Sequence, residues 1–273
     1  MSAHASVFVY RQTPWIFLAA AVAFLASQPV RGEVIYSDPF TGTSGTIDGT
    51  TPASRGGIGA IAWTASNNLQ LSSNELLSNN QSVIANAFLP FTPTAGNKYS
   101  LTLTLSTSGS FFDNYALFGF SEFNVIDSDF ASTSVNGYAW WLQRTALASG
   151  NNYAFGGPRA QHLLNTDFLR TPQTRTIVLD TTQAQWQAAF FVNSELKNSY
   201  TYAVGENPTA IRYVGLSSAN TFGRFDNFSF SAVPEPSSFI FVASLLGATA
   251  RFRRRRKVGA SWHPSIREGE YED

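Results

Sequence analysis

The chain is 273 residues long, contains no cysteine and has a formal charge of zero. The lack of cysteine excludes a disulfide scaffold, a thiol nucleophile and thiolate metal sites. Between Glu33 and Ala250, nine Lys or Arg stand against fourteen Asp or Glu, a net of −5, which argues against a nucleic-acid partner.

Arg11 precedes an apolar run, Trp15 to Ala26, of signal-peptide length. Val30 and Gly32 offer small residues where a signal peptidase reads. Residues 1–32 therefore read as a signal peptide, with Glu33 as the new N-terminus; an uncleaved anchor is the alternative. From 33 to 231 the hydrophobic pattern has period two, not 3.6. Strands are expected at Val34–Tyr36, Ile58–Trp63, Leu69–Ser72, Ser82–Leu89, Lys98–Ser106 and Tyr115–Phe120. Others are expected at Tyr138–Arg144, Arg175–Asp180, Trp186–Asn193, Ile211–Ser218 and Gly223–Ser231. Gly, Pro, Asn, Asp and Ser punctuate the gaps, and no convincing helix of three turns appears between them. Strands with one buried face must pack sheet on sheet. The expected fold class is all-β, an antiparallel β-sandwich, with a closed barrel as the alternative. Leu101, Leu103, Leu105, Val178, Phe190 and Phe228 are expected in its core.

After Ser231 the composition changes. Val233, Pro234, Glu235 and Pro236 lead into an uncharged apolar run, Ser238 to Ala250. As a helix, Pro236 to Phe252 would span about 25 Å, marginal for a transmembrane segment. The prolines disfavour helix or sheet through Val233. Arg251, Arg253, Arg254, Arg255, Arg256 and Lys257 then form a basic stop that stays on the cytoplasmic side. Residues 258–273 form a short acidic tail, expected in the cytoplasm. The two ends agree on topology: residues 33–232 outside the membrane, the last segment inside.

Catalytic chemistry is thinly represented. His162 is the one histidine between Glu33 and Ala250, and its surroundings read as a loop or surface. A Ser–His–Asp triad or a histidine zinc site lacks material. A glycosidase needs two carboxylates, and the nearest pair is Asp127 and Asp129 on an apparent loop. The domain is expected not to be an enzyme. Calcium takes hard oxygen ligands, for which Asp113, Asp127, Asp129 and Asp226 are candidates; the alternative is turn residues bonding their own backbone. No other cofactor is indicated. For a sugar, whose pyranose has one apolar face, an aromatic platform beside polar groups is needed. "GYAWWLQR" supplies Tyr138, Trp140 and Arg144 on one face of a strand, with Asn151 to Phe155 nearby. The alternative is that both indoles pack between layers.

The order "VPEP", apolar run, arginine cluster resembles the PEP-CTERM sorting signal of exported proteins from Gram-negative, exopolysaccharide-producing bacteria. The resemblance covers 232–257. It implies recognition near Pro234–Glu235–Pro236 by an exosortase, a membrane-embedded protease with a cysteine-protease-like site, and release to the cell surface or extracellular matrix. Such proteins usually end just after the arginines, whereas this chain continues to Asp273. Residues 33–231, through "SDPFTG…IDGT", "IAW", "LPFTPTAGNKYSLTLTL", "YALFGF", "GYAWWLQR", "TIVLDTT…W…AFFVN" and "GRFDNFSF", resemble the concanavalin A-like (laminin G-like) jelly roll. Phe225–Asp226–Asn227–Phe228 also ends many PEP-CTERM ectodomains. That fold implies carbohydrate or matrix binding in some members and enzymatic activity in others, so it does not decide function. The expectation is an exported surface or matrix protein with polysaccharide as a candidate partner. A secreted carbohydrate-active enzyme and a purely structural matrix protein are the alternatives.

Overall fold

A computed structural model describes residues 32–56, 59–80, 82–108, 115–126, 137–144, 152–155, 161–164, 172–219 and 222–234; the three short stretches between 137 and 164 are described as backbone. The chain is all-β, and there is no helix among the described residues. None there is long and apolar enough to cross a membrane, and the expected spanning run lies outside them.

The strands are β1 (Glu33–Asp38), β2 (Thr64–Ala65), β3 (Leu69–Ser72), β4 (Glu75–Ser78), β5 (Ile84–Pro90), β6 (Asn97–Ser108), β7 (Tyr115–Ser121) and β8 (Gly137–Arg144). They continue as β9 (Asn152–Phe155), β10 (Gln161–Leu164), β11 (Gln173–Asp180), β12 (Gln187–Val192), β13 (Glu195–Thr201), β14 (Tyr213–Ala219) and β15 (Phe222–Pro234). Sheet A runs β13-β12-β11-β6-β15-β4-β3, with β1 also on β15, and sheet B runs β10-β9-β8-β7-β14-β5-β2. The strand pairs within both sheets are antiparallel.

The two sheets share one core. Sheet A contributes Leu101, Leu103, Leu105, Ile177, Leu179, Phe190, Phe225, Phe228 and Phe230; sheet B contributes Ala85, Leu89, Ala116, Phe118, Phe120, Val214 and Leu216. Phe230 joins the layers, with its ring centroid 5.9 Å from that of Phe120 and 4.6 Å from that of Phe91. Such edge-to-face pairs stabilise beyond their buried area.

Several expectations need correction. Val178 is half-buried and faces outward, while Ile177 and Leu179 are fully buried. Ile177 stands opposite Leu101 and Val178 opposite Ser100, so the inward face of β6 decides which residue of the Ile–Val–Leu run turns in. Residues 59–63 form no strand. The backbone of Trp63 is engaged by a turn instead, donating to Thr50 O at 2.8 Å and accepting from Gly49 N at 2.9 Å. His162 lies on β10 opposite Ala154, not on a loop. Val233 and Pro234 belong to β15, opposite Lys98 and Asn97. At a strand end a proline loses at most one ladder bond, so the sheet accepts it there. Two hairpins, β3–β4 and β12–β13, turn on Ser73–Asn74 and Asn193–Ser194. All four residues have positive φ (56°, 63°, 47° and 68°), as the two-residue type I′ turn requires.

Candidate functional site

The outer face of sheet B carries the strand singled out for ligand binding. Along β7, Ala116, Phe118 and Phe120 point into the shared core. Tyr115 and Leu117 point the other way and join Phe88 and Ala219 in a second buried cluster, against which Ile84, Ile126 and Tyr213 pack. The Phe88 ring lies over Gly215 of β14, where a Cβ would come within 2.5 Å of it; only glycine permits that approach. Phe123–Ile126 folds against β5, where Asn86 Nδ2 donates to Val125 O at 2.9 Å and Asn86 N to Ile126 O at 3.2 Å.

Strand β8 continues this sheet. Its register sets Trp140 opposite Gly119, Leu142 opposite Leu117 and Arg144 opposite Tyr115, while Trp141 stands opposite Phe118. Because directly opposed residues share a face, positions 140, 142 and 144 belong to the outer face. Tyr138 falls at the register shift between Phe120 and Ser121. Of the second polar stretch singled out, 152–155 forms β9, with Phe155 opposite Trp140.

Of the candidate calcium ligands, Asp113, Asp127 and Asp129 lie outside the described residues. Asp226 sits on β15 at a register shift toward Ser229. Its two carboxylate oxygens accept from Asn227 N at 2.7 Å and from Asn227 Nδ2 at 2.8 Å, and Asn227 has φ 52°. The carboxylate thus holds a left-handed residue in a bulge, the role of a turn former. No group of three His, Asp or Glu able to hold a metal ion occurs among the described residues. Glu235, Pro236 and the cluster Arg251–Lys257 also lie outside the described residues.

Two polar arrangements were not foreseen. Asp38 accepts from Trp63 Nε1 at 2.9 Å through one oxygen and from Phe40 N at 2.9 Å through the other. Burial raises the Asp38 pKa despite those two bonds. Trp63 in turn packs edge-on against Phe228 at 5.1 Å, so the carboxylate ties the first strand to the last. Arg175 is 1% exposed on the inward face of β11, donates to Gln173 Oε1, and burial lowers its pKa to about 10. Both are internal fastenings. The first joins residues 25 apart and leaves no local signal, and the second shows only as a polar pair in an alternating strand.

No family model and no curated protein matches the sequence. Among solved structures, the chain is similar to the Emp47p carbohydrate recognition domain, with TM-score 0.49, 13% identity, and coverage of 76% of this chain and 99% of that one. It is similar to an endo-1,3-β-glucanase from Streptomyces sioyaensis, with TM-score 0.48, 12% identity and coverage of 76% and 98%. A third is the VIP36 exoplasmic/lumenal domain in its Ca2+/Man2-bound form, with TM-score 0.46, 11% identity and coverage of 70% and 87%. The antiparallel two-sheet sandwich of this chain follows from its own strand order and packing.

Proposed function

We propose that the chain is an exported bacterial surface or matrix protein. On this reading a PEP-CTERM signal, Val233 to Lys257, is recognised by an exosortase-type membrane protease, and a concanavalin A-like jelly-roll ectodomain binds polysaccharide. The observation that carries the sorting part is the order of features. A β-sandwich leads without a linker into Pro–Glu–Pro, then an uncharged apolar run, then five arginines and a lysine. Each part suits transient membrane residence, because the basic cluster resists passage and the run is short for a permanent span. Intact-mass measurement of the surface protein in its native host tests this. A C-terminus near 233–237 is expected, and recovery only of chains ending at Asp273 overturns it.

Polysaccharide binding is assigned to the outer face of sheet B around β8. There Trp140 has a glycine as its neighbour on β7, and Arg144 lies on the same face. Indole stacking against a pyranose, with a guanidinium for its hydroxyls, is the chemistry such a face supports. A glycan array with the purified protein, with and without calcium, is the test. Binding lost on Trp140→Ala supports the assignment. A folded wild type that binds no glycan, or that degrades one through a carboxylate, overturns it.

A further inference from the structure

The chain turns sharply where β1 ends, at Asp38–Pro39–Phe40, and this is the one Asp–Pro bond in the sequence. Phe40 has φ 49°, a left-handed conformation that is costly for a bulky aromatic residue. Packing holds it there. Phe40 is 1% exposed, with its ring centroid 5.9 Å from that of Trp63 and 6.3 Å from that of Phe228. Asp38 Oδ1 accepts from Phe40 N at 2.9 Å, the bond of an aspartate to its own backbone two residues on. The ring closed by that hydrogen bond contains the Asp38–Pro39 amide, so the carboxyl and the carbonyl carbon beside it share one tight loop. Trp63 Nε1 holds the other carboxyl oxygen at 2.9 Å. Pro39 is exposed, so water reaches the bond. A prolyl amide is tertiary, and its more basic nitrogen makes it the better leaving group in acid.

We propose that the folded chain cleaves itself between Asp38 and Pro39. Asp38 Oδ1 bonds to the Asp38 carbonyl carbon, the carboxyl proton passes to the Pro39 nitrogen, and the C–N bond breaks, leaving a cyclic anhydride on residue 38. One water then opens the anhydride. The products are an Asp38 with two free carboxyls and a new amino terminus at Pro39; nothing is oxidised or reduced. Strain at Phe40 favours the cut in the folded chain, because the turn relaxes once the bond is broken. The neutral carboxyl is the reactive form, and burial favours it at Asp38 against the bonds from Trp63 and Phe40. The charged groups on the segments around Asp38 are Asp48 and Arg55 on the loop to Trp63 and Asp226 on β15. Asp48 accepts from Ala65 N at 2.9 Å and Asp226 from Asn227, and the shift at Asp38 owes nothing to any of the three. The cut leaves β1 in place. Tyr36 is 1% exposed and donates to Pro90 O at 2.6 Å, and five residues of β1 pair with β15. The residues before Pro39 lose their covalent link to the sandwich but keep their strand in sheet A.

The test is denaturing intact-mass measurement of the purified full-length chain in detergent, followed over days at about pH 5, just above the ordinary aspartate range. Two products are expected that meet at Asp38–Pro39 and together exceed the chain by one water. The same chain unfolded in guanidinium chloride at that pH should cleave there more slowly, by about tenfold or more, the effect of losing the strained turn. Pro39→Ala keeps Asp38 and should abolish the cut in a chain that still folds; Asp38→Asn should abolish it too. A folded wild type that stays intact overturns the proposal. So does an unfolded chain that cleaves as fast as the folded one, because the bond is then acid-labile without help from the fold. A cut at the same bond that survives either substitution overturns it as well.

Discussion

On β6 of sheet A, Leu101, Leu103 and Leu105 are fully buried while Thr102 and Thr104 between them are half-exposed; on β7 of sheet B, every residue from Tyr115 to Ser121 is buried. Sheet A therefore has one buried face and one wet face. Its wet face carries threonines and serines, with ion pairs such as Lys98–Asp180 and Arg224–Glu75. The centre of sheet B is covered on both faces. That difference explains the sequence of each: "SLTLTLS" alternates, whereas "YALFGFS" is nearly continuous in apolar and small residues, as strands covered on both sides are. The outer face of that centre is filled by Phe88, Tyr115 and Leu117.

The comparison breaks first in the shared core. Phe230 touches the rings of Tyr36, Phe91, Tyr99 and Phe120 and is fully buried. Phe230→Ala should destabilise by about 3–5 kcal/mol, read by urea unfolding. Leu117→Ala, on the outer face of sheet B, comes next. At 0% exposure it should cost at least about 2 kcal/mol. A loss under about 0.5 kcal/mol, the behaviour of a surface site, would show that this face is open to water.

How far the sequence reveals this structure follows the same division. The strands that alternate, β6 and β11, are legible almost to their ends, because water on one side enforces period two. In β11 the run Ile177–Val178–Leu179 is apolar throughout, so its inward face is legible only once its partner β6 is known. The return strands β4 and β13 are hidden because their turns are Ser–Asn and Asn–Ser, without the glycine that usually marks a type I′ hairpin. β9 and β10 are short and poor in period. At the candidate site, the existence of β8 is legible and so is the opposition of Trp140 and Trp141. The bulge that uses Asp226 is not, because Asp–Asn is equally a ligand pair and a turn former. The Asp38–Trp63 contact depends wholly on the fold.

That contact gives the third test. Asp38→Ala removes the acceptor of Trp63 Nε1 and of Phe40 N and should cost about 1–3 kcal/mol. Its pH dependence has a definite sign. Burial raises the folded pKa of Asp38, so the folded state holds the proton more tightly than the unfolded chain. Stability from this group falls as pH rises from the ordinary carboxylate range through the raised value. Asp180 on the wet face runs the opposite way. Burial alone would raise its pKa, but bonds from Thr182 together with Lys98 outweigh that and lower it, so its contribution is lost as pH falls. The gap between wild type and Asp38→Ala should therefore widen from pH 7 toward pH 4, measured by thermal unfolding at each pH. A gap that narrows would mean that the carboxylate is held charged at that corner.

The smallest effect belongs to the wet face itself. Thr102 on β6 and Thr176 on β11 stand directly opposite, with hydroxyl oxygens 2.9 Å apart. Both are half-buried, so either hydroxyl can also reach water. Thr102→Val keeps the β-branched shape and removes one partner. If sheet A is wet on this face, Thr176 turns to solvent and the loss stays under about 1 kcal/mol. If another layer covered this face in solution, Thr176 would be left buried and unsatisfied, and the loss would rise to about 1–3 kcal/mol. Thr102→Val compared with Leu103→Ala, one residue along the same strand but fully buried, isolates the facing of the strand from its position. A ratio near unity would mean that the division between a one-faced sheet A and a two-faced sheet B is wrong.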